Sequence, residues 1–267
     1  MGCSNTKEAP QGTLLEQYSA AQLPHPWSGD YENEFEKSIF MGINLCRHDP
    51  KRFVPHVRKI YKDHVLLKGG LGKRMNDVIA KLQAQQTILP VRFDQQANDA
   101  CRQNNTDVLA KNEVAPTLGG NIAKYSEITG SEKESTCSEF TMVKFEGSTG
   151  EEFVALQLAL DFEDFQGANK DKVVSEPVVE EPVVAEDIQV PAAAEEPPAV
   201  AADKENGEEA KEAKAAKKPV AVAAPIVGYS PILDETVEMV GICNKAHQKT
   251  INVIQVLYCK TSGNAMI

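Results

Sequence analysis

The sequence lacks the features that mark membrane-spanning, secreted and metal-dependent proteins. Its apolar runs are shorter than the roughly 18 to 20 residues needed to cross a bilayer. The first thirty residues lack the basic and then apolar order of a secretory signal, and neither Cys-x-x-Cys nor His-x-x-x-His spacing occurs. We therefore expect a cytosolic chain that does not cross a membrane, keeps its thiols reduced, and holds no metal or cofactor.

Catalytic motifs are also missing. The sequence contains no Gly-x-Ser-x-Gly elbow and no phosphate-binding loop, so we expect a protein without enzyme activity. A Cys-His nucleophile stays open at this point, because such partners meet only in space. The cysteines nevertheless lie in or near apolar patterns, which predicts buried structural thiols at Cys46, Cys101, Cys137, Cys243 and Cys259.

The negative charge is concentrated in one segment. The 267 residues carry a formal net charge of −11, which argues against nucleic-acid binding. Residues 173–225 contain 12 acids, 5 bases, 7 of the 15 prolines and no aromatic residue. This composition predicts a disordered acidic insertion rich in Pro, Ala, Val and Glu, with at most a short solvated helix over Glu208–Lys218. An acidic docking segment for a basic partner is compatible with that disorder.

Apolar residues recur at helical spacing through the first half of the chain. The pattern predicts a helix that ends at Asp49-Pro50, a second that ends before the glycines at 69–72, and a third over about 75–82. Asp94 is the predicted N-cap of a fourth helix. Thr141–Phe145 is predicted as a strand, and Ser148-Thr149 as the start of a helix that follows it.

The pattern changes to that of strands near the end of the chain. Thr236–Cys243 and Thr250–Tyr258 predict an antiparallel hairpin with a turn at Asn244–Lys249. Two strands alone are not stable, so the hairpin must complete a sheet that begins before the acidic segment. The predicted division is a flexible tail (1–30), the first part of a domain (31–172), the disordered insertion (173–225) and the closing hairpin (226–267).

Several short motifs in this order resemble the CAP superfamily, also called SCP-like domains. Asn44, Arg47 and Pro50 match an opening Asn-x-x-Arg-x-x-Pro signature, and the stretch from Leu89 to Cys101 resembles the second signature helix. Gly119-Gly120-Asn121-Ile122 stands where the family has Gly-Glu-Asn-Ile, and His247 lies in what looks like the closing hairpin. The resemblance implies an α+β fold, a CAP-like three-layer α/β/α sandwich with a mainly antiparallel sheet.

The departures from that family concern its cleft. Relatives line a central cleft with two His and two Glu that can hold a divalent metal. Here Gly120 replaces one Glu, Ala168 replaces the His of the Gly-His-Arg motif, and no histidine occurs between His64 and His247. The resemblance therefore implies a degenerate cleft. A metal-dependent hydrolase would need at least three other ligands to converge there.

The amino terminus carries the most specific functional signal. MGCSNT fits the Met-Gly-x-x-x-Ser/Thr pattern, with Gly2 as the N-myristoylation site and Thr6 as the required hydroxyl residue. A single myristoyl chain binds membranes only marginally, so a second anchor is expected, and S-palmitoylation of the adjacent Cys3 would supply it. The alternative is that both residues are accidental.

A basic segment supports contact with an anionic membrane surface. Nine bases and two acids lie between residues 47 and 74. The bases are Arg47, Lys51, Arg52, Arg58, Lys59, Lys62, Lys68, Lys73 and Arg74. Each base near an anionic leaflet can contribute about 1 kcal/mol. A solvated helix pair neutralised by other acids, or a patch for an acidic cytoskeletal protein, remains an alternative.

These observations predict a non-enzymatic, membrane-anchored protein-binding or scaffold protein. Similar acylated tails in protists suggest the cytoplasmic face of the plasma or ciliary membrane, with an unidentified protein partner. A lipid- or sterol-binding CAP-like module is the alternative, because some CAP relatives hold such ligands in apolar clefts.

Overall fold

The computed structural model describes residues 12–26, 30–68, 72–112, 119–130, 137–163 and 228–260. These ranges form seven α-helices and one mixed four-stranded sheet, which confirms the predicted α+β class. None of the described helices combines the length and apolar character needed to cross a membrane. The predicted disordered insertion at 173–225 lies outside the described residues.

Helices predominate before the acidic segment, and the two longest strands follow it. The helices are α1 (Leu14–Ala20), α2 (Glu34–His48), α3 (Val54–Asp63), α4 (Met75–Ala84), α5 (Gln95–Lys111), α6 (Gly120–Thr129) and α7 (Gly150–Phe162). The strands are β1 (Arg92–Phe93), β2 (Cys137–Val143), β3 (Val237–His247) and β4 (Ile251–Lys260). Short 3₁₀ helices span Pro50–Phe53 and Pro231–Leu233.

Local signals in the sequence set the starts and ends of several helices. The Asp94 carboxylate accepts a hydrogen bond from the Ala97 backbone N–H at 2.6 Å, and the Thr149 hydroxyl accepts one from Glu152 at 3.2 Å. The predicted N-cap at Asp94 and the predicted helix start at Ser148-Thr149 are therefore confirmed. Helix α2 ends at His48, directly before Asp49-Pro50, as predicted.

The predicted flexible tail at 1–30 is wrong for part of its length. Thr13 and Glu16 form a capping box at the start of α1, in which each side chain accepts a hydrogen bond from the other residue's backbone N–H. Tyr18 on this helix is fully buried and packs into the main core. Burial of a tyrosine fixes α1 on the domain, so the folded part begins earlier than the sequence pattern indicated.

The sheet is completed by the two strands nearest the end of the chain. Its strand order is β1-β3-β4-β2, in which β3-β4 and β4-β2 are antiparallel and β1-β3 is parallel. The prediction that the closing hairpin pairs with earlier strands is confirmed. Strand β2 begins and ends earlier than the predicted Thr141–Phe145.

The turn of the hairpin begins later than the predicted Asn244–Lys249, because β3 continues to His247 and the turn occupies residues 248–250. The Asn244 backbone N–H donates to the Glu36 carboxylate at 2.7 Å, which holds this polar part of the strand against α2. The His247 Nδ1 accepts hydrogen bonds from Lys249 and Thr250 and so closes the turn. Polar residues stay in the strand because they have specific partners.

Helices lie against both faces of the sheet. On one face, Val240 and Ile242 of β3 join a core that also contains residues of α2 and α7. On the other face, Cys243 and Leu257 pack with residues of α5 and α6. A Cβ atom on Gly241 would lie 2.2 Å from the Ala97 carbonyl carbon, so this glycine permits the close approach of α5 to β3.

Candidate functional site

The predicted acylation sites, Gly2 and Cys3, lie outside the described residues. The basic segment can be followed almost completely, and its nine bases have different environments. Lys51, Arg58, Lys62, Lys68 and Lys73 are exposed and have no ion-pair partner among the residues that the structure describes. We call these five residues the α3 patch.

Arg47 is not a surface residue, so its assignment to the membrane patch is wrong. Only 1% of the residue is exposed. Its guanidinium donates hydrogen bonds to four backbone carbonyls, namely Leu89 at 2.7 Å, Ile232 at 3.0 Å, Asp234 at 2.9 Å and Val237 at 2.9 Å. Because every contact goes to the backbone, Arg47 fixes α2 to the segment before β3. Burial lowers its pKa.

The other three bases are partly neutralised or partly covered. Lys59 forms an ion pair with Glu152 at 2.9 Å, which lowers the Glu152 pKa, and Arg74 lies 3.9 Å from Asp77. Arg52 is half-buried, and its Nε and Nη2 have no hydrogen-bond partner among the described residues. Fewer bases are therefore available to a partner than the nine counted in the sequence.

Two exposed apolar side chains beside the α3 patch were not predicted from the sequence. Val65 and Leu66 lie in the turn after α3, and they are 65% and 46% exposed. The next residue, Leu67, is only 1% exposed. The helical pattern up to His64 gave no signal for this exposure, because in the sequence all three residues read as one apolar run.

Amide groups surround Gly120, the glycine that stands at the Glu position of the Gly-Glu-Asn-Ile motif. A Cβ atom on Gly120 would lie 2.6 Å from the Asn104 Nδ2, so a longer side chain would displace this amide. Asn104 Nδ2 donates to the Asn121 and Gln255 side-chain oxygens, both at 2.9 Å. Asn104 thus links the other two amides, and none of the three is a good metal ligand or proton carrier. Ala168 lies outside the described residues.

A carboxylate missed in the sequence lies next to these amides. Glu139 on β2 accepts hydrogen bonds from the backbone N–H groups of Gly119, Asn121 and Ile122, the last two at 3.0 and 3.2 Å. It thus caps the first turn of α6, whose own N-cap residue is a glycine. Burial raises the pKa of Glu139. All three contacts are to backbone, which is typical of a structural cap.

The thiols are mostly buried, as predicted. Cys46, Cys101, Cys243 and Cys259 are buried and free, and Cys137 is half-buried. Burial raises the pKa of Cys46, which keeps that thiol protonated and weakly nucleophilic. The described residues contain no group of three or more His, Cys, Asp and Glu side chains placed to hold a metal ion.

The cavity between α1 and the end of α2 does not suit a sterol. Its volume is about 470 Å³, and its lining includes Glu16, Gln17, His48, Asp49 and Arg52. Sterol sites are lined mainly by apolar side chains, with few polar groups. The lipid-binding alternative gains no support from this cavity.

Comparison with known proteins finds no counterpart for this chain: no protein-family model matches it, and neither a curated protein nor a solved structure shows significant similarity.

Proposed function

We propose that the protein is a non-enzymatic binding or scaffold protein anchored to the cytoplasmic face of a membrane. Myristate on Gly2 and palmitate on Cys3 supply the anchor, and the folded domain binds a protein partner. The α3 patch is the observation that carries the proposal. It consists of five exposed bases that have no ion-pair partners among the described residues. An anionic leaflet attracts such bases even though the whole chain is acidic.

The fold fits a degenerate CAP-like domain in this proposal. A mainly antiparallel sheet with helices on both faces is compatible with a three-layer α/β/α sandwich. Asn104 donates to Asn121 and Gln255 beside Gly120, the position where the CAP motif has a carboxylate. Neither these amides nor Glu139, which caps α6, forms a set of metal ligands, so we favour protein binding over metal-dependent hydrolysis.

Metabolic labelling tests the anchor directly. Cells that express the full chain are supplied with alkyne analogues of myristate and palmitate, and the protein is recovered and its label measured. We expect Gly2→Ala to lose both labels and Cys3→Ser to lose only the palmitate label, because palmitoylation follows membrane delivery by myristate. Cys137→Ser serves as the matched control. If the wild type takes up no myristate analogue, the anchor does not exist.

Charge removal tests the patch independently of the anchor. Arg58→Gln/Lys62→Gln removes two bases of the α3 patch, and Arg92→Gln/Lys249→Gln removes two exposed bases from other elements. At about 1 kcal/mol per base, the first pair weakens binding to phosphatidylserine vesicles by roughly 20- to 30-fold. The control pair should have a much smaller effect. If both pairs of substitutions weaken vesicle binding equally, binding depends on the overall charge and the α3 patch has no specific role.

The plasma membrane or the ciliary membrane is the location we propose, because similar acylated tails in protists mark proteins of these membranes. Imaging of the tagged wild type beside Gly2→Ala tests this. We expect the variant to become diffuse in the cytosol.

A further inference from the structure

Hydrogen bonds and a buried leucine hold the turn after α3 on the domain. The backbone N–H groups of Leu67 and Lys68 both donate to the His64 carbonyl, at 3.0 and 2.9 Å. The Gly72 N–H donates to the Leu67 carbonyl at 2.9 Å, and Leu67 itself is buried in the main core. The buried side chain of Leu67 therefore attaches the turn to the core, while Val65 and Leu66 remain exposed to solvent.

Cations flank these two apolar side chains along the chain. Arg58 and Lys62 are four residues apart on α3 and share one face of the helix, which ends just before the turn. Lys68 follows the turn, and Lys73 follows Gly72, whose N–H is bonded to the turn. All four side chains are exposed.

Acids near the turn are fewer than these bases. Asp63 is exposed and directly precedes the turn, and Glu146 is close enough to His64 to interact with it electrostatically. A third carboxylate, Glu163, accepts hydrogen bonds from the backbone N–H groups of Lys73 and Arg74. Three carboxylates thus accompany the four cations, and Arg74 is paired with Asp77, so the surroundings of Val65 and Leu66 keep a small net positive charge.

Exposed apolar side chains that are flanked by cations are suited to the surface of an anionic membrane. The interfacial region of an anionic bilayer offers hydrocarbon to Val65 and Leu66 and negatively charged headgroups to the cations. We propose that the His64–Lys68 turn inserts Val65 and Leu66 into the cytoplasmic leaflet and so sets how the domain lies on the membrane. This inference rests on the membrane location proposed above, but it does not need the acyl chains.

The test uses the full chain expressed in bacteria without an N-myristoyltransferase, so that no acyl chain contributes. Sedimentation with vesicles of phosphatidylcholine and phosphatidylserine measures partitioning, and pure phosphatidylcholine vesicles report the part that does not depend on charge. Val65→Ser/Leu66→Ser removes the apolar groups without changing charge. Leu89→Ser is the matched control, because Leu89 is 81% exposed and lies in a different segment.

We expect the unacylated wild type to bind the anionic vesicles at low salt and Val65→Ser/Leu66→Ser to bind at least about tenfold more weakly. Leu89→Ser should bind like the wild type. Circular dichroism of each variant confirms folding, which the exposure of the changed side chains should preserve. No binding by the wild type, or equal binding by wild type and Val65→Ser/Leu66→Ser, would overturn the inference.

Tryptophan fluorescence distinguishes insertion from mere proximity. The chain has one tryptophan, so Leu66→Trp and Leu89→Trp are each made in a Trp27→Phe background. Leu66→Trp should shift its emission to the blue on vesicle addition and be quenched by brominated lipid, whereas Leu89→Trp should show neither change. Binding without quenching of Leu66→Trp would mean that only the cations contact the membrane, which contradicts insertion.

Two other outcomes separate this inference from the proposed function. If an acidic protein is the true partner, Val65→Ser/Leu66→Ser leaves vesicle binding unchanged, and the insertion is refuted. If no myristate label is found at Gly2, the proposed lipid anchor is contradicted. The vesicle measurements on the unacylated chain do not depend on that anchor and still test the insertion.

Discussion

Replacing Arg47 with methionine should cost more stability than replacing any other base of the basic segment. The substitution keeps much of the side-chain volume but leaves four backbone carbonyls without their donor. A buried polar group that loses its partner costs about 1 to 3 kcal/mol, and the low end of that range gives a loss of about 4 kcal/mol for the four carbonyls. This value agrees with the roughly 3 to 5 kcal/mol lost when a buried charged interaction is broken.

Urea unfolding followed by far-UV circular dichroism measures this change. Arg92→Met is the control, because Arg92 is an exposed arginine whose ion pair with Glu238, at 3.6 Å, should contribute at most about 1 kcal/mol. We expect the thermal midpoint of Arg47→Met to fall by about 8 to 16 °C. Arg47→Lys should lie between the wild type and Arg47→Met, since an ammonium group keeps the charge but cannot reach four carbonyls at once.

A loss below about 1.5 kcal/mol for Arg47→Met, with an unchanged m value, would refute the reasoning. It would mean that the carbonyls of residues 232–237 find other donors, and that Arg47 does not fix α2 to that segment.

Three further predictions concern other groups of the domain. Burial raises the pKa of Asp161 to about 7, against opposing hydrogen bonds from Ser230 and Gln157, so the folded chain binds the proton more tightly than the unfolded one. Stability should therefore fall as the pH rises from about 4 through 7, by up to about 4 kcal/mol, and urea titrations at several pH values should show that Asp161→Asn removes this slope. Gly150→Ala would place a Cβ atom 1.9 Å from the Ser38 carbonyl oxygen, between α7 and α2, and a loss of about 1 to 3 kcal/mol is expected in urea unfolding. Glu139→Ala removes the cap of α6 and should cost about 0.5 to 2 kcal/mol, with faster amide hydrogen exchange at Asn121 and Ile122 as the specific readout. Exchange unchanged at these two amides would contradict the capping role.

Local signals were enough to predict much of the secondary structure. Asp94 and Thr149 are N-caps because their short polar side chains reach a backbone N–H three residues later, and this geometry can be read from the sequence. The two final strands could also be predicted, because they are rich in β-branched residues. Helix α1 could have been found too, since Thr13-x-x-Glu16 is a capping-box pattern.

Long-range contacts explain the predictions that were wrong. The partners of Arg47 at Ile232, Asp234 and Val237 are at least 185 positions away, so the charge count of residues 47–74 placed a buried arginine on the surface. Asn244 stays in β3 because Glu36 on α2 accepts from its backbone, which a pattern of apolar residues does not reveal. A local sequence pattern therefore predicts the position of a polar residue least well when its partner is distant in the chain.

The position of β4 has a consequence for how this chain is made. This strand pairs with both β3 and β2, and β3 is the only described neighbour of β1. During synthesis, β1 and β2 therefore leave the ribosome before any strand exists for them to pair with. Because domains usually fold as their elements emerge, the late arrival of the hairpin makes sheet formation a late event. Nascent chains halted before residue 237 should show helices, exposed apolar surface and no protected sheet amides.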